Sequence, residues 1–153
     1  MTRIKAPRVV LDTNVFVSAF INRTGAPARV LEAWHDGRFT LVTTEPLVEE
    51  FAGVLRRPLF RTRYGITDAE AVTLVNLVLH RGVLVTPRRR LRIRSRDPKD
   101  DRLLAAAAGG RADYLVTGDL DLLELRGEPA LGTTDIVTPR AFLESLPDTR
   151  TQP

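Results

Sequence analysis

Short apolar runs, each closed by polar or glycine residues and each separated from the next by a helix-length stretch, set the strongest limit on what this chain can fold into. The runs lie at residues 8–12 (Arg-Val-Val-Leu-Asp), 40–43 (Thr-Leu-Val-Thr), 82–86 (Gly-Val-Leu-Val-Thr), 114–117 (Tyr-Leu-Val-Thr) and 135–138 (Asp-Ile-Val-Thr). Each is too short for a stable helix, and strands that are apolar without alternation are buried on both faces. Helical spacing fills the intervals at 14–21, 27–35, 45–57, 67–81 and 98–108, and again at 139–146. Start and stop signals agree with these bounds. Asp12 or Thr13 suits the first N-cap, Pro27 the first turn of the second helix, and Gly37 its end. Pro58 stops the third helix. Thr67 with Glu70 forms a capping-box spacing, and Gly109-Gly110 terminates the helix that Asp97-Pro98 opens. Strands alternating with helices predict an α/β domain with a parallel sheet covered on both faces.

The chain has 153 residues and neither repeat nor linker, so one domain is expected over 1–147, with a frayed tail at 148–153. It contains no Cys, which excludes disulfides, thiolate metal sites and Cys nucleophiles. The best early apolar run, 15–21, is too short for a signal core or a membrane span. A soluble, cytoplasmic protein with no membrane partner is the expectation.

Ligands of open parallel sheets gather at the carboxyl ends of the strands. There the first run delivers Asp12-Thr13-Asn14, and the fourth delivers Gly118-Asp119-Leu120-Asp121. Either Asp alone reads as a helix cap; two carboxylates at one edge point to a site. On the 45–57 helix, Leu47, Val48, Phe51, Val54 and Leu55 form one stripe. Glu49 falls opposite it, while Glu50 sits at its margin and can reach the sheet. On the 98–108 helix, Asp100 aligns with Leu103, Leu104 and Ala107, and Asp101 lies a quarter turn away. Both Glu50 and Asp100 also admit the plain reading of boundary or capping residues.

Carboxylates gathered in one place raise one another's pKa and call for a counter-charge. A hard divalent cation, Mg²⁺ or Mn²⁺, one or two ions, suits oxygen ligands. Zinc does not fit, because there is no Cys and the two His, His35 and His80, sit in helices as surface or boundary residues. No activated Ser or Cys is evident, so the chemistry on offer is metal-assisted attack by water, which suits phosphodiester hydrolysis.

The stretches 9–17 (VVLDTNVFV), 47–58 (LVEEFAGVLRRP), 97–104 (DPKDDRLL) and 112–123 (ADYLVTGDLDLL) resemble, in this order, the PIN domain. The likeness runs from about residue 8 to 140 and is nearest to the putative toxins of toxin–antitoxin systems, relatives of VapC-type ribonucleases. The resemblance implies a three-layer α/β/α fold with a five-stranded, mainly parallel sheet, and an Mg²⁺/Mn²⁺-dependent nuclease acting on RNA. The family's four acidic positions match Asp12, Glu50, Asp100 and Asp119, as catalytic residues and metal ligands. Asn14, Asp101 and Asp121 are secondary or alternative ligands. A small inhibitory antitoxin and a homodimer are implied as partners.

Charge is unevenly placed. Of 23 basic residues 21 are Arg, and the overall net charge is +4. Residues 81–96 hold seven Arg and no acid, leaving the remainder slightly acidic. Arg88, Arg89, Arg90, Arg92, Arg94 and Arg96 read either as a phosphate track or as a charged edge that discourages strand pairing. Two other functions compete with the nuclease. A haloacid-dehalogenase-like phosphotransferase also places an Asp after its first strand, but Asn14 stands where that chemistry wants a second Asp, and no convincing catalytic Lys accompanies the fourth strand. A catalytically silent module that binds RNA or protein is the other.

Overall fold

The computed structural model describes residues 6–88, 91 and 97–147. Strand β1 (Arg8–Leu11) runs into α1 (Thr13–Ile21) and α2 (Ala26–His35), then β2 (Thr40–Thr43) into α3 (Glu45–Leu55), α4 (Pro58–Tyr64) and α5 (Asp68–Arg81). The short β3 (Val83–Leu84) precedes α6 (Pro98–Gly109), β4 (Tyr114–Val116) and α7 (Leu120–Leu123). A 3₁₀ turn (Pro129–Leu131), β5 (Asp135–Val137) and α8 (Pro139–Ser145) complete the described chain. The sheet order is β3-β2-β1-β4-β5, and all four neighbouring pairs are parallel. The expected three-layer α/β/α architecture is therefore the one observed.

Side chains of successive strand residues point to opposite faces, and here they feed two separate cores. Val9, Leu11, Leu41, Val116 and Val137 pack with Phe16, Trp34, Phe51 and Phe142 on one side. Val10, Val42, Leu115 and Ile136 pack on the other, under Leu103, Leu104 and Ala107 of α6 and Leu122 of α7. Helix α3 belongs to both: Val48, Phe51 and Leu55 join the first core, whereas Leu47 joins the second. It therefore lies across the sheet's edge instead of flat on one face.

Four details depart from expectation. Pro58 ends α3 and also opens α4, because proline is favoured in a first helical turn and pushes the preceding Arg57 to extended backbone. Phe60 anchors that extra helix, its ring 5.4 Å from Tyr64, and Gly65 closes it in the left-handed region at φ 65°. Strand β3 is two residues long and exposed, not a buried run over 82–86, because it sits at the sheet's edge with β2 as its paired neighbour. Gly109-Gly110 ends α6 through close packing: an added Cβ would collide with the Thr86 carbonyl oxygen or with Val42. The left-handed residue there is Arg111, at φ 50°. Finally α7 and the 3₁₀ turn carry too few residues to show a periodic signal. Among the described residues no helix is long and apolar enough to cross a membrane. The tail at 148–153 and Arg89, Arg90, Arg92, Arg94 and Arg96 lie outside the described residues.

Candidate active site

Strands β1 and β4 are neighbours, with Leu11 beside Val116, although a hundred residues separate them in sequence. From β1 the chain winds outward to β2 and β3; from β4 it winds the other way to β5. The two strands thus bracket the point where the winding reverses, which opens a crevice at their carboxyl ends. Asp12 and Asp119 both emerge there.

Asp12 is held from three directions. Its N–H continues the ladder to the Val116 carbonyl at 3.0 Å. Its Oδ1 accepts from the Asn14 N–H at 3.1 Å, capping α1, and its Oδ2 accepts from the Thr117 hydroxyl at 2.8 Å. Thr117 is wholly buried, and its Oγ1 in turn accepts from the Asp119 N–H at 3.0 Å. Asp119 Oδ1 accepts from the Asp121 N–H at 2.9 Å and caps α7. Both aspartates are therefore helix caps and cleft residues at once, since a cap occupies one lone pair and leaves the others.

Beside them lies a cleft of about 270 Å³ lined by Asp12, Asn14, Glu50, Asp97, Asp100 and Asp119, with Arg57 and Lys99 at its wall and Val17, Val54, Phe60 and Leu103 among its apolar contacts. The four carboxylates singled out from the sequence all line it. Glu50 is half-buried where Glu49 faces solvent, as the position of α3 across the sheet edge requires. Asp100 is 5% exposed and in the cleft, while the half-buried Asp101 is not part of its lining. Asp121 also stays outside, serving through its N–H. Asp97 lines the cleft and caps α6 through the Lys99 N–H at 3.0 Å. Arg88 is exposed, with its N–H on the Ala105 carbonyl at 3.0 Å.

Burial pushes the Asp12 carboxyl above its ordinary pKa; the Thr117 and Asn14 hydrogen bonds pull it back, and the Asp119 charge adds to the rise. A desolvated carboxylate next to a second one lacks a counter-charge. Among the described residues no three acidic or His side chains close into a ready ligand cage. A small, hard ion that keeps several waters needs one or two direct carboxylates. The donor set of this cleft is of that kind, so its chemistry fits Mg²⁺ or Mn²⁺.

Two cleft residues, Arg57 and Lys99, and the buried Thr117 behind the cleft escape a sequence reading of site candidates. Arg57 is hidden behind Pro58, and Lys99 sits inside an acidic run, so neither shows its direction. Thr117 looks like the last residue of a strand, yet it joins Asp12 to Asp119. Thr117→Val keeps the shape and deletes both hydrogen bonds. It should weaken divalent-ion affinity by roughly 10–100-fold, the usual effect of losing a ligand's orienting partner. Calorimetric titration of the variant against wild type measures this, with circular dichroism as the check on folding; an unchanged affinity would remove Thr117 as a positioning residue.

Residues 8–121 match the PIN domain. An uncharacterized protein of Methanocaldococcus jannaschii is 28% identical over 151 residues, a span covering 95% of each chain. PIN domains are in general nucleases that use divalent metal ions. The match begins at β1, ends in α7 and takes in all five carboxylates that line the cleft, and on that ground the chain belongs to the PIN domain family.

Proposed function

We propose that the protein is an endoribonuclease that hydrolyses RNA phosphodiester bonds with Mg²⁺ or Mn²⁺, and that Asp12, Glu50, Asp100 and Asp119 are its catalytic ligand set. The observation that carries this reading is that Asp12, Glu50, Asp100 and Asp119, from four different parts of the chain and with the α6 cap Asp97 beside them, line one cleft at the reversal point of the sheet. When bound, a divalent ion activates a water for in-line attack and stabilises charge developing on the phosphate. The chain's own residues do the rest. Thr117 and the Asn14 amide hold the Asp12 carboxylate in a fixed orientation. Buried Asp100 supplies oxygen donors from α6, packed on the sheet, and half-buried Glu50 supplies them from α3. Lys99 and Arg57 at the cleft wall offer the cations an anionic backbone needs. Arg88, Arg89, Arg90, Arg92, Arg94 and Arg96 add cations close in sequence to α6, and we assign them to phosphate binding on charge alone.

The test is cleavage of single-stranded RNA by purified protein with Mg²⁺ or Mn²⁺, against the same reaction in excess chelator. Cleavage that needs the metal is the expected result; none with either ion overturns the reading. Within it, the resemblance of the four acidic stretches to toxin ribonucleases supports a toxin silenced by a small protein partner. Growth arrest on expression, relieved by co-expressing a neighbouring short reading frame, is the matching check in cells.

A further inference from the structure

Asn14 also lines a second groove of about 290 Å³, mostly apolar, between the start of α1 and the starts of α2 and α8. Val15, Pro27 and Pro139 are among the walls of the second, Gly118 is at its edge, and Arg140 stands at its rim. We propose that this groove is a nucleotide subsite: it takes the base and ribose next to the scissile phosphate, and Arg140 meets the following phosphate. The proposal rests on the ribonuclease reading and adds to it the direction of the bound strand.

Gly118 is the telling residue. Glycine inside a loop normally answers a left-handed backbone or a crowded approach. Neither applies: its φ lies outside the left-handed region, and a Cβ built there meets nothing within 4 Å. The fold therefore does not require glycine between Thr117 and Asp119. A side chain there would instead enter open space at the wall of the apolar groove, where a bound nucleotide would lie. The charge pattern agrees. Lys99 and Arg57 line the acidic cleft, and Arg140 lines the apolar groove. Each cavity therefore offers a cation to a polyanion that occupies both. Arg140 is exposed and makes a loose 3.7 Å approach to exposed Glu144, a weak pairing that leaves it available to a phosphate.

Binding of a fluorescently labelled hexaribonucleotide, measured by anisotropy over a range of salt, tests the subsite independently of turnover. Gly118→Leu should weaken binding by about tenfold or more, because the added side chain fills space the nucleotide would take. Arg140→Gln should weaken it by a few-fold and flatten the slope of log K against log salt by about 0.7, the signature of one single-strand phosphate contact. Gly118→Ala serves as the folding control: with nothing to collide with, it should leave the melting temperature unchanged or higher. Equal affinity and equal salt slope in Gly118→Leu, Arg140→Gln and wild type would overturn the subsite. Metal-dependent cleavage by the wild type, measured in parallel, decides the ribonuclease reading separately, so the two failures are distinguishable.

Discussion

Asp12→Asn and Asp119→Asn should each lower metal-dependent RNA cleavage by roughly a hundredfold or more, the scale seen when a group stabilising developing charge is removed. Asparagine is the informative replacement, because both aspartates cap helices. Asn14 donates to Asp12 and Asp121 donates to Asp119 in the folded chain, and an amide oxygen accepts those same bonds. Asn caps about as well as Asp, so the helix starts survive while the charge is lost. Alanine would remove the cap as well, at a cost of about 1 kcal/mol, and mix a folding defect into the result. Single-turnover cleavage with matched circular dichroism spectra measures the effect. Variants that fold and cleave like wild type would show that these carboxylates only cap.

The second large effect is on stability. An ion bound at about 100 times its Kd stabilises the folded state by about 2.7 kcal/mol, which for a chain of this size raises Tm by roughly 5–10 °C. Asp12→Asn should abolish most of that gain. Without metal it should do the opposite of harm and raise Tm at neutral pH. The reason lies in the direction of the Asp12 shift. Its folded-state pKa is raised, chiefly by burial. The folded state therefore holds that proton more tightly than the unfolded chain does. Its contribution to stability is full below the ordinary carboxyl pKa and is lost as pH rises through the raised value. At neutral pH the metal-free protein carries a buried, under-compensated anion, and the neutral amide relieves it. Thermal melts of wild type and Asp12→Asn, with and without Mn²⁺ at two pH values, check both signs. A metal response that survives in Asp12→Asn would place the ion elsewhere.

How much of this was legible in the sequence depended on whether the deciding interaction was local. Strands β1, β2, β4 and β5 carry unbroken apolar runs that suit no other element, and their caps lie next to them in the chain. The direction of Glu50 followed from its position on the wheel, because the stripe Leu47, Val48, Phe51 and Leu55 is what packs α3 down. Asp100 followed in the same way from Leu103, Leu104 and Ala107. What stayed hidden was set by distant partners. The brevity of β3 comes from its place at the edge of the sheet. Thr117 matters because Asp12, 105 positions away, accepts its hydroxyl. Gly109 and Gly110 look like an ordinary helix stop, yet their reason is contact with Thr86 and Val42 from other elements. Gly118 looks the same on paper and has no such contact.

The pairing of β1 with β4 also has a consequence in time. In the order of synthesis Asp12 comes before its neighbour in the sheet, residues 114–116, and Asp119 later still. Domains fold as units during synthesis, once the segments that pair are available. Until then β1 has β2 on one side and nothing on the other, and the hydroxyl that orients Asp12 has not been made. The cleft that joins Asp12 to Asp119 therefore cannot assemble before the segment carrying β4 has been made.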